Sequence, residues 1–280
     1  MEGHVNTDSW QEETISQVTA LFSQDENVRG LVLIGSLTRD DVTRDAWSDL
    51  DIAVVVRDEA LDSFWPATEW ISGLGEVYCT SRSSTSEWRV TRACFADGRR
   101  IDFAFVTEGS VARIEEWEKN PLRYVNVCLF SRSEALDRAL KLEFPPPVFE
   151  PASPRDFERM ANDFWFKGML AVSKAAREEL LVALHLSLDM VRDCLVLGMM
   201  IRDRDTGADH HRDGSQGNHF IPVLEGTRQP HTALGVLDSI EQSAVVFDKL
   251  AVQWDAGYRD RREPLLRWIE RARPDVRASG

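Results

Sequence analysis

The chain has 280 residues, 43% hydrophobic and 29% charged, with a formal net charge of −14 from 47 acidic and 33 basic side chains. That length supports two domains with their own cores, and the acidity speaks against extended binding to nucleic acid, which relies on Lys and Arg to neutralise phosphates. No apolar run approaches the roughly 18 residues of a membrane span, and the polar start MEGHVNTDSWQEE lacks the basic lead and apolar segment of a secretion signal, so a cytoplasmic location is expected.

Ser9 to Phe22 is predicted as an opening helix. Ser9 and Glu12 have capping-box spacing, and Ile15, Val18, Leu21 and Phe22 form one apolar stripe. Val28 to Ile34 is apolar nearly throughout and is predicted as a central strand covered on both faces. Gly35-Ser36 ends it, and a polar loop leads to a second apolar run with Asp49-Leu50-Asp51 at its head and Val56 at its end. Alternation along a strand puts Asp49 and Asp51 on one face and turns Leu50 and Ile52 into the core. Two adjacent carboxylates repel unless a cation neutralises them, and hard oxygen ligands suit Mg²⁺, which usually takes one or two carboxylates plus substrate phosphates. A glycine at the strand end lets backbone N–H groups approach a phosphate, and the Ser36 hydroxyl adds a donor. A phosphate cradle beside a carboxylate pair is equipment for moving a nucleotidyl group.

Glu59 to Gly73 is predicted as a helix bent or broken at Pro66, with Trp65 and Trp70 in the core or a groove wall. Three strand-like runs follow, Glu76 to Thr80, Glu87 to Phe95 and Arg99 to Val106, the last two joined by an Asp97-Gly98 turn. Asp102 is the one charge inside the apolar part of the third run and needs a partner. A salt bridge to Arg100 is one reading. Glu108 to Lys119 reads as an acidic surface helix and Arg123 to Phe130 as an apolar strand or buried segment. The four cysteines, Cys79, Cys94, Cys128 and Cys194, form no CxxC pair and are read as buried free thiols.

Phe144-Pro145-Pro146-Pro147, with Pro151 and Pro154, marks a boundary. Beyond it the apolar period lengthens from two to about 3.6 residues. Ser153 to Val172 and Ser173 to Met200 are predicted as long helices, the first burying Met160, Phe164, Trp165, Met169 and Leu170. The second is predicted to bury Leu180, Leu181, Leu184, Leu188, Val191, Leu195 and Met199. Asp203 to Asn218 reads as a polar loop carrying His210 and His211, Thr232 to Trp254 as a helix, and Arg262 to Arg273 as a last helix with Leu265, Leu266, Trp268 and Ile269 inward.

Ile34-Gly35-Ser36, twelve residues, then Asp49-Leu50-Asp51-Ile52 resembles the DNA polymerase β-like nucleotidyltransferase superfamily. The order of the whole chain is similar to its aminoglycoside 6-adenylyltransferase, or streptomycin adenylyltransferase, family. The resemblance implies an α+β fold: a nucleotidyltransferase domain over residues 1–148, a mixed sheet flanked by helices, and a helical-bundle substrate-binding domain over residues 149–280. It implies Asp102 as the third carboxylate, holding Mg²⁺ with Asp49 and Asp51, and Gly35, Ser36 and Arg39 as the groups that hold the triphosphate of ATP. Arg44 is a weaker candidate in the same loop. Arg177-Glu178-Glu179-Leu180-Leu181-Val182-Ala183 resembles an Arg-x-Glu-apolar-apolar-x-Ala pattern of the family's helical domain. Glu179 is thereby implied to bind an aminoglycoside ammonium or to accept the proton of the attacking hydroxyl, with Asp189 and Asp193 further along as lesser candidates. The sequence departs from the family at Asp40, where relatives often carry glycine, and at Leu129-Phe130-Ser131-Arg132, where they carry a Leu-Asp-Lys-Asp-like run. It departs again at Gly214-Ser215-Gln216-Gly217, where they carry a lysine.

The function implied is transfer of AMP from ATP to a hydroxyl of a cationic small molecule, streptomycin first, by a monomer or homodimer that needs neither nucleic acid nor membrane. The same chemistry on another small molecule or on a protein is the alternative. A non-catalytic nucleotide-binding module is a third reading, against which the intact Gly35-Ser36, Asp49, Asp51 and Asp102 speak.

Overall fold

The computed structural model describes residues 10–38, 45–117, 120, 122, 126–144, 150–207 and 218–278. The chain divides into two compact units, Met1–Pro146 and Pro147–Gly280. Among the described residues no helix is long and apolar enough to cross a membrane.

In the first unit, helix α1 (Trp10–Ser23) precedes β1 (Val28–Ile34) and β2 (Leu50–Val56), and a short α2 (Leu61–Phe64) follows. Next come β3 (Val77–Ser84), β4 (Arg89–Phe95), β5 (Arg100–Thr107), α3 (Glu108–Val111), β6 (Val127–Ser131) and α4 (Glu134–Ala139). The sheet runs β3-β4-β5-β2-β1-β6. β2 and β5 are parallel; every other pairing is antiparallel. α/β content and mixed pairing together make this the expected α+β class.

Alternation decides the faces. Leu50, Ile52 and Val54 of β2 and Ile101, Phe103 and Phe105 of β5 meet Val18 and Phe22 of α1, with Phe64, Ile71 and Leu74. Ala53, Val55 and Val106 point the other way, onto Val111, Ile114, Trp117, Leu136 and Ala139. The central strands are therefore buried on both sides, as their near-continuous apolar runs predict. Phe103 is fully buried, with ring centroids 4.8 Å from Trp70 and 5.9 Å from Phe22. Phe103→Ala is expected to destabilise the first unit by about 3–5 kcal/mol, read as a lowered midpoint in urea unfolding.

Several local expectations are corrected. The helix predicted from Glu59 to Gly73 is three short pieces, Asp58–Ala60, Leu61–Phe64 and Glu69–Leu74. The break falls at Pro66, because the residue before a proline is driven out of the helical region; Trp65 has φ −148° and ψ 126°. The predicted surface helix Glu108 to Lys119 is one turn of α3, capped by Thr107 accepting from the Ser110 N–H, and a 3₁₀ turn at Ile114–Glu116. Val111, Ile114 and Trp117 recur every third residue and are buried, so this stretch faces the core rather than solvent. β3 is longer than predicted and exposed along its length, as an edge strand paired on one side only can be. β6 is the other edge, exposed at Val127 and Cys128 instead of buried. Of the four thiols only Cys194 is buried; Cys79 and Cys128 are exposed.

The second unit is built from α5 (Pro154–Ala176), α6 (Leu180–Thr206), α7 (Ala233–Trp254) and α8 (Arg262–Ala278), with a 3₁₀ stretch at Asn218–Thr227. Ser153 caps α5 and Thr232 caps α7. α5 packs on α6 and α8, and α7 packs on both of those helices. The Phe164 and Phe247 rings stack at 3.8 Å in its core. The first helix, predicted to end at Val172, runs four residues further to Ala176, and Glu178 takes a left-handed φ of 61° before α6 begins at Leu180.

The leucine stripe of α6 is the largest correction. Leu181 is 83% exposed, and Leu188, Leu195 and Met199 are exposed as well. The buried face is Ala183, Ser187, Met190, Cys194, Leu197 and Ile201. Both sets repeat at three and four residues, so periodicity alone could not choose between them. Small side chains let α6 approach α7 closely, and the Ser187 hydroxyl donates to the Ser239 hydroxyl at 3.0 Å in that seam. On α5, Leu170 is exposed, and on α8 so is Trp268. Asp203 to Thr206 belong to the end of α6 rather than to a loop. His210 and His211 lie outside the described residues.

Candidate active site

β1 and β2 are antiparallel with Ile34 opposite Asp51, and β2 and β5 are parallel with Asp51 opposite Asp102. Asp49, Asp51 and Asp102 thus meet at the head of two neighbouring strands, on the face opposite α1. One ligand oxygen from each lies within 4.8 Å of the others. Asp49 and Asp102 keep 18% and 14% of their side-chain surface exposed. Three carboxylate oxygens so close, partly open to solvent, form the hard donor set that Mg²⁺ takes.

The turn after β1 completes the arrangement. Gly35 has φ +81°. A Cβ built there would come within 2.9 Å of the Asp51 Cγ and closer still to its Oδ2. Position 35 therefore demands glycine twice, for its left-handed backbone and for its contact with Asp51. Ser36 opens a 3₁₀ turn to Thr38, whose hydroxyl donates to the Gly35 carbonyl at 2.8 Å. On the other side, α1 holds the turn that delivers Asp49. The buried Gln11 donates through Nε2 to the carbonyls of Asp45 at 2.8 Å and Ser48 at 3.2 Å. The Trp10 indole N–H donates to the Ala46 carbonyl at 3.0 Å.

Two guanidinium groups meet the carboxylates. Arg92 Nε lies 3.0 Å from Asp102 Oδ2, and its Nη1 donates to the Ser83 hydroxyl at 3.0 Å. Arg100 donates to Asp49 Oδ2. This corrects the pairing of Asp102 with Arg100. Those residues share a face of β5 but stand two positions apart, roughly 6.6 Å along the strand. Directly across the ladder, Arg92 faces Asp102 at shorter range. Arg92 could not be assigned from the sequence, because its relation to Asp102 depends on strand register.

Of the other residues singled out, Arg39 and Arg44 lie outside the described residues. Glu179 belongs to the second unit and stands just before the first turn of α6 instead of on the helix. Its carboxylate accepts from Lys174 and lies 3.2 Å from Arg177 Nε. The Lys174 hydrogen bond, reinforced by the Lys174 and Arg177 charges, holds it below the usual carboxylate range against the opposing effect of desolvation. Asp189 and Asp193 both hold Lys167, at 3.1 and 2.6 Å. Burial pushes the Lys167 ammonium down, but the bonds to Asp193 and Asp189 outweigh it and leave the group above its ordinary range.

An aminoglycoside 6-adenylyltransferase of Bacillus subtilis (strain 168) is 24% identical over 180 residues, which are 61% of this chain and 61% of that protein's length. The crystal structure of an aminoglycoside 6-adenyltransferase from Bacillus subtilis aligns with 93% of this chain and 97% of its own, at 16% identity and a TM-score of 0.39. That of a spectinomycin adenyltransferase from Enterococcus faecialis, with ATP and spectinomycin, aligns with 95% and 99%, at 15% identity and a TM-score of 0.31. The family model described as streptomycin adenylyltransferase matches residues 10–209, from α1 through the end of α6, and by that match the chain belongs to the streptomycin adenylyltransferase family.

Proposed function

We propose that this protein transfers AMP from ATP to a hydroxyl of an aminoglycoside, streptomycin foremost, in the cytoplasm and with Mg²⁺ held by Asp49, Asp51 and Asp102. The observation that carries this reading is the meeting of those three carboxylates beside the glycine turn at Gly35. A cation bound there would stabilise charge on the triphosphate and lower the proton affinity of the attacking hydroxyl. The Gly35–Ser36 backbone, the Ser36 hydroxyl and Arg39 hold the β- and γ-phosphates. The acceptor oxygen attacks the α-phosphorus, the bond to the β-phosphate breaks, pyrophosphate leaves, and Asp102 takes the hydroxyl proton. Much of the rate would come from positioning and charge stabilisation. In this reading residues 1–148 carry the nucleotide chemistry and residues 149–280 bind the acceptor.

The hydrogen bond from Lys174 and the neighbouring Arg177 charge keep Glu179 ionised, and in this reading that standing negative charge holds an ammonium group of the acceptor. Glu179→Gln is expected to raise KM for the acceptor about tenfold with kcat changed less than about threefold. A loss confined to kcat in steady-state kinetics would return the proton-acceptor role to Glu179.

The test of the whole reading is pyrophosphate release from ATP and Mg²⁺ with streptomycin, spectinomycin, kanamycin or lincomycin. Release with streptomycin, accompanied by adenylylated drug in the mass spectrum, is the expected result. Release with none of the four overturns the aminoglycoside assignment, and nucleotide binding that survives would point the same chemistry at another acceptor.

A further inference from the structure

Arg92 pairs with Asp102 and Arg100 with Asp49 at the head of β2 and β5, yet the two are held differently. The Arg92 guanidinium makes two contacts, an ion pair from Nε to Asp102 and a hydrogen bond from Nη1 to the Ser83 hydroxyl. The Arg100 side chain is half exposed, and its hydrogen bond to Asp49 Oδ2 is the one that side chain makes among the described residues. A guanidinium and a hard cation compete for the same carboxylate lone pairs. The guanidinium fork is equally suited to phosphate, on which it can place two parallel hydrogen bonds. Moving from Asp49 to a phosphate held over the carboxylates requires only rotation of a solvated side chain. Arg92 would have to break two contacts to do the same.

Resting on the reading of Asp49, Asp51 and Asp102 as a cation site, we propose that Arg100 is an exchangeable counter-ion of Asp49: it competes with free divalent cation and passes to the triphosphate when cation and nucleotide arrive together. The site would then bind a cation poorly by itself and well as the nucleotide complex. Arg92 stays on Asp102 throughout and keeps that carboxylate aimed at the cluster.

The proposal sets two affinities against each other. In Arg100→Gln, Mn²⁺ alone should bind on the order of tenfold tighter, because a positive charge competing for Asp49 is gone, while ATP with Mn²⁺ should bind on the order of tenfold weaker. Both are read from free Mn²⁺ by paramagnetic resonance, with and without ATP, after circular dichroism has shown the variant folded. In Arg100→Lys, which keeps the charge and loses the fork, affinity for Mn²⁺ alone should stay near wild type. A merely structural role would weaken both affinities of Arg100→Gln together. That result, unchanged or weaker binding of Mn²⁺ alone, or Arg100→Lys behaving as Arg100→Gln, overturns the exchange. Asp51→Asn is the control for the underlying reading. If it binds Mn²⁺ as wild type does, the carboxylate site itself is refuted, whatever Arg100 does.

Discussion

Replacing Asp51 by Asn is expected to lower kcat/KM for adenylyl transfer by about 10³-fold, a loss of roughly 4 kcal/mol of transition-state stabilisation. Asn keeps the shape and one oxygen but removes the charge. Asp51 is the central member of the cluster, opposite Asp102 on β5 and against the Gly35 turn of β1, so no neighbour replaces it. The fold should not share the loss. Asn matches the volume of Asp and sits at a partly exposed position, so the packing of β2 is left intact. The Asp51→Asn midpoint in urea is therefore expected to stay within about 1 kcal/mol of wild type. Asp49→Asn should behave alike. Steady-state kinetics beside an unfolding curve checks both halves, and near-normal turnover in either variant would sink the cation assignment.

Gly35→Ala is expected to damage activity and stability together. An L-residue at φ +81° costs about 1–2 kcal/mol. The added methyl would also stand 3.0 Å from the Asp51 Cβ and 2.9 Å from its Cγ, so rotation of the carboxylate alone cannot clear it. Strand β2 or the turn must move, and the cluster with it. Turnover should fall by about 10²-fold or more, since a misplacement of about 1 Å can cost that much. Stability should fall by about 1–3 kcal/mol. A variant with wild-type kinetics would mean that the turn does not shape the site. This double loss, set against the single loss in Asp51→Asn, separates the geometry of the cluster from its charge.

The carboxylate site was legible to different depths in the sequence. Alternation places Asp49 and Asp51 on one side of a strand and Leu50 and Ile52 on the other, and β2 follows that pattern. Asp102 stood out because an ion inside an apolar run requires a partner. Its partner, Arg92, was out of reach, since a sequence states which residues alternate but not which strand lies alongside. Helix α6 failed for a related reason. Its two stripes have the same period, and the shorter side chains of Ala183, Ser187 and Cys194 were chosen by the closeness of α7.

By itself the sequence determined the strands, the glycine turn, the carboxylate pair and the change from sheet to helices, because each rests on interactions between residues a few positions apart. Only the tertiary structure decided that Asp102 joins the pair, that Arg92 faces Asp102 and Arg100 faces Asp49, and which side of α6 is buried. Those outcomes depend on strand register and helix packing, in which residues up to about fifty positions apart become neighbours, as Arg100 and Asp49 do.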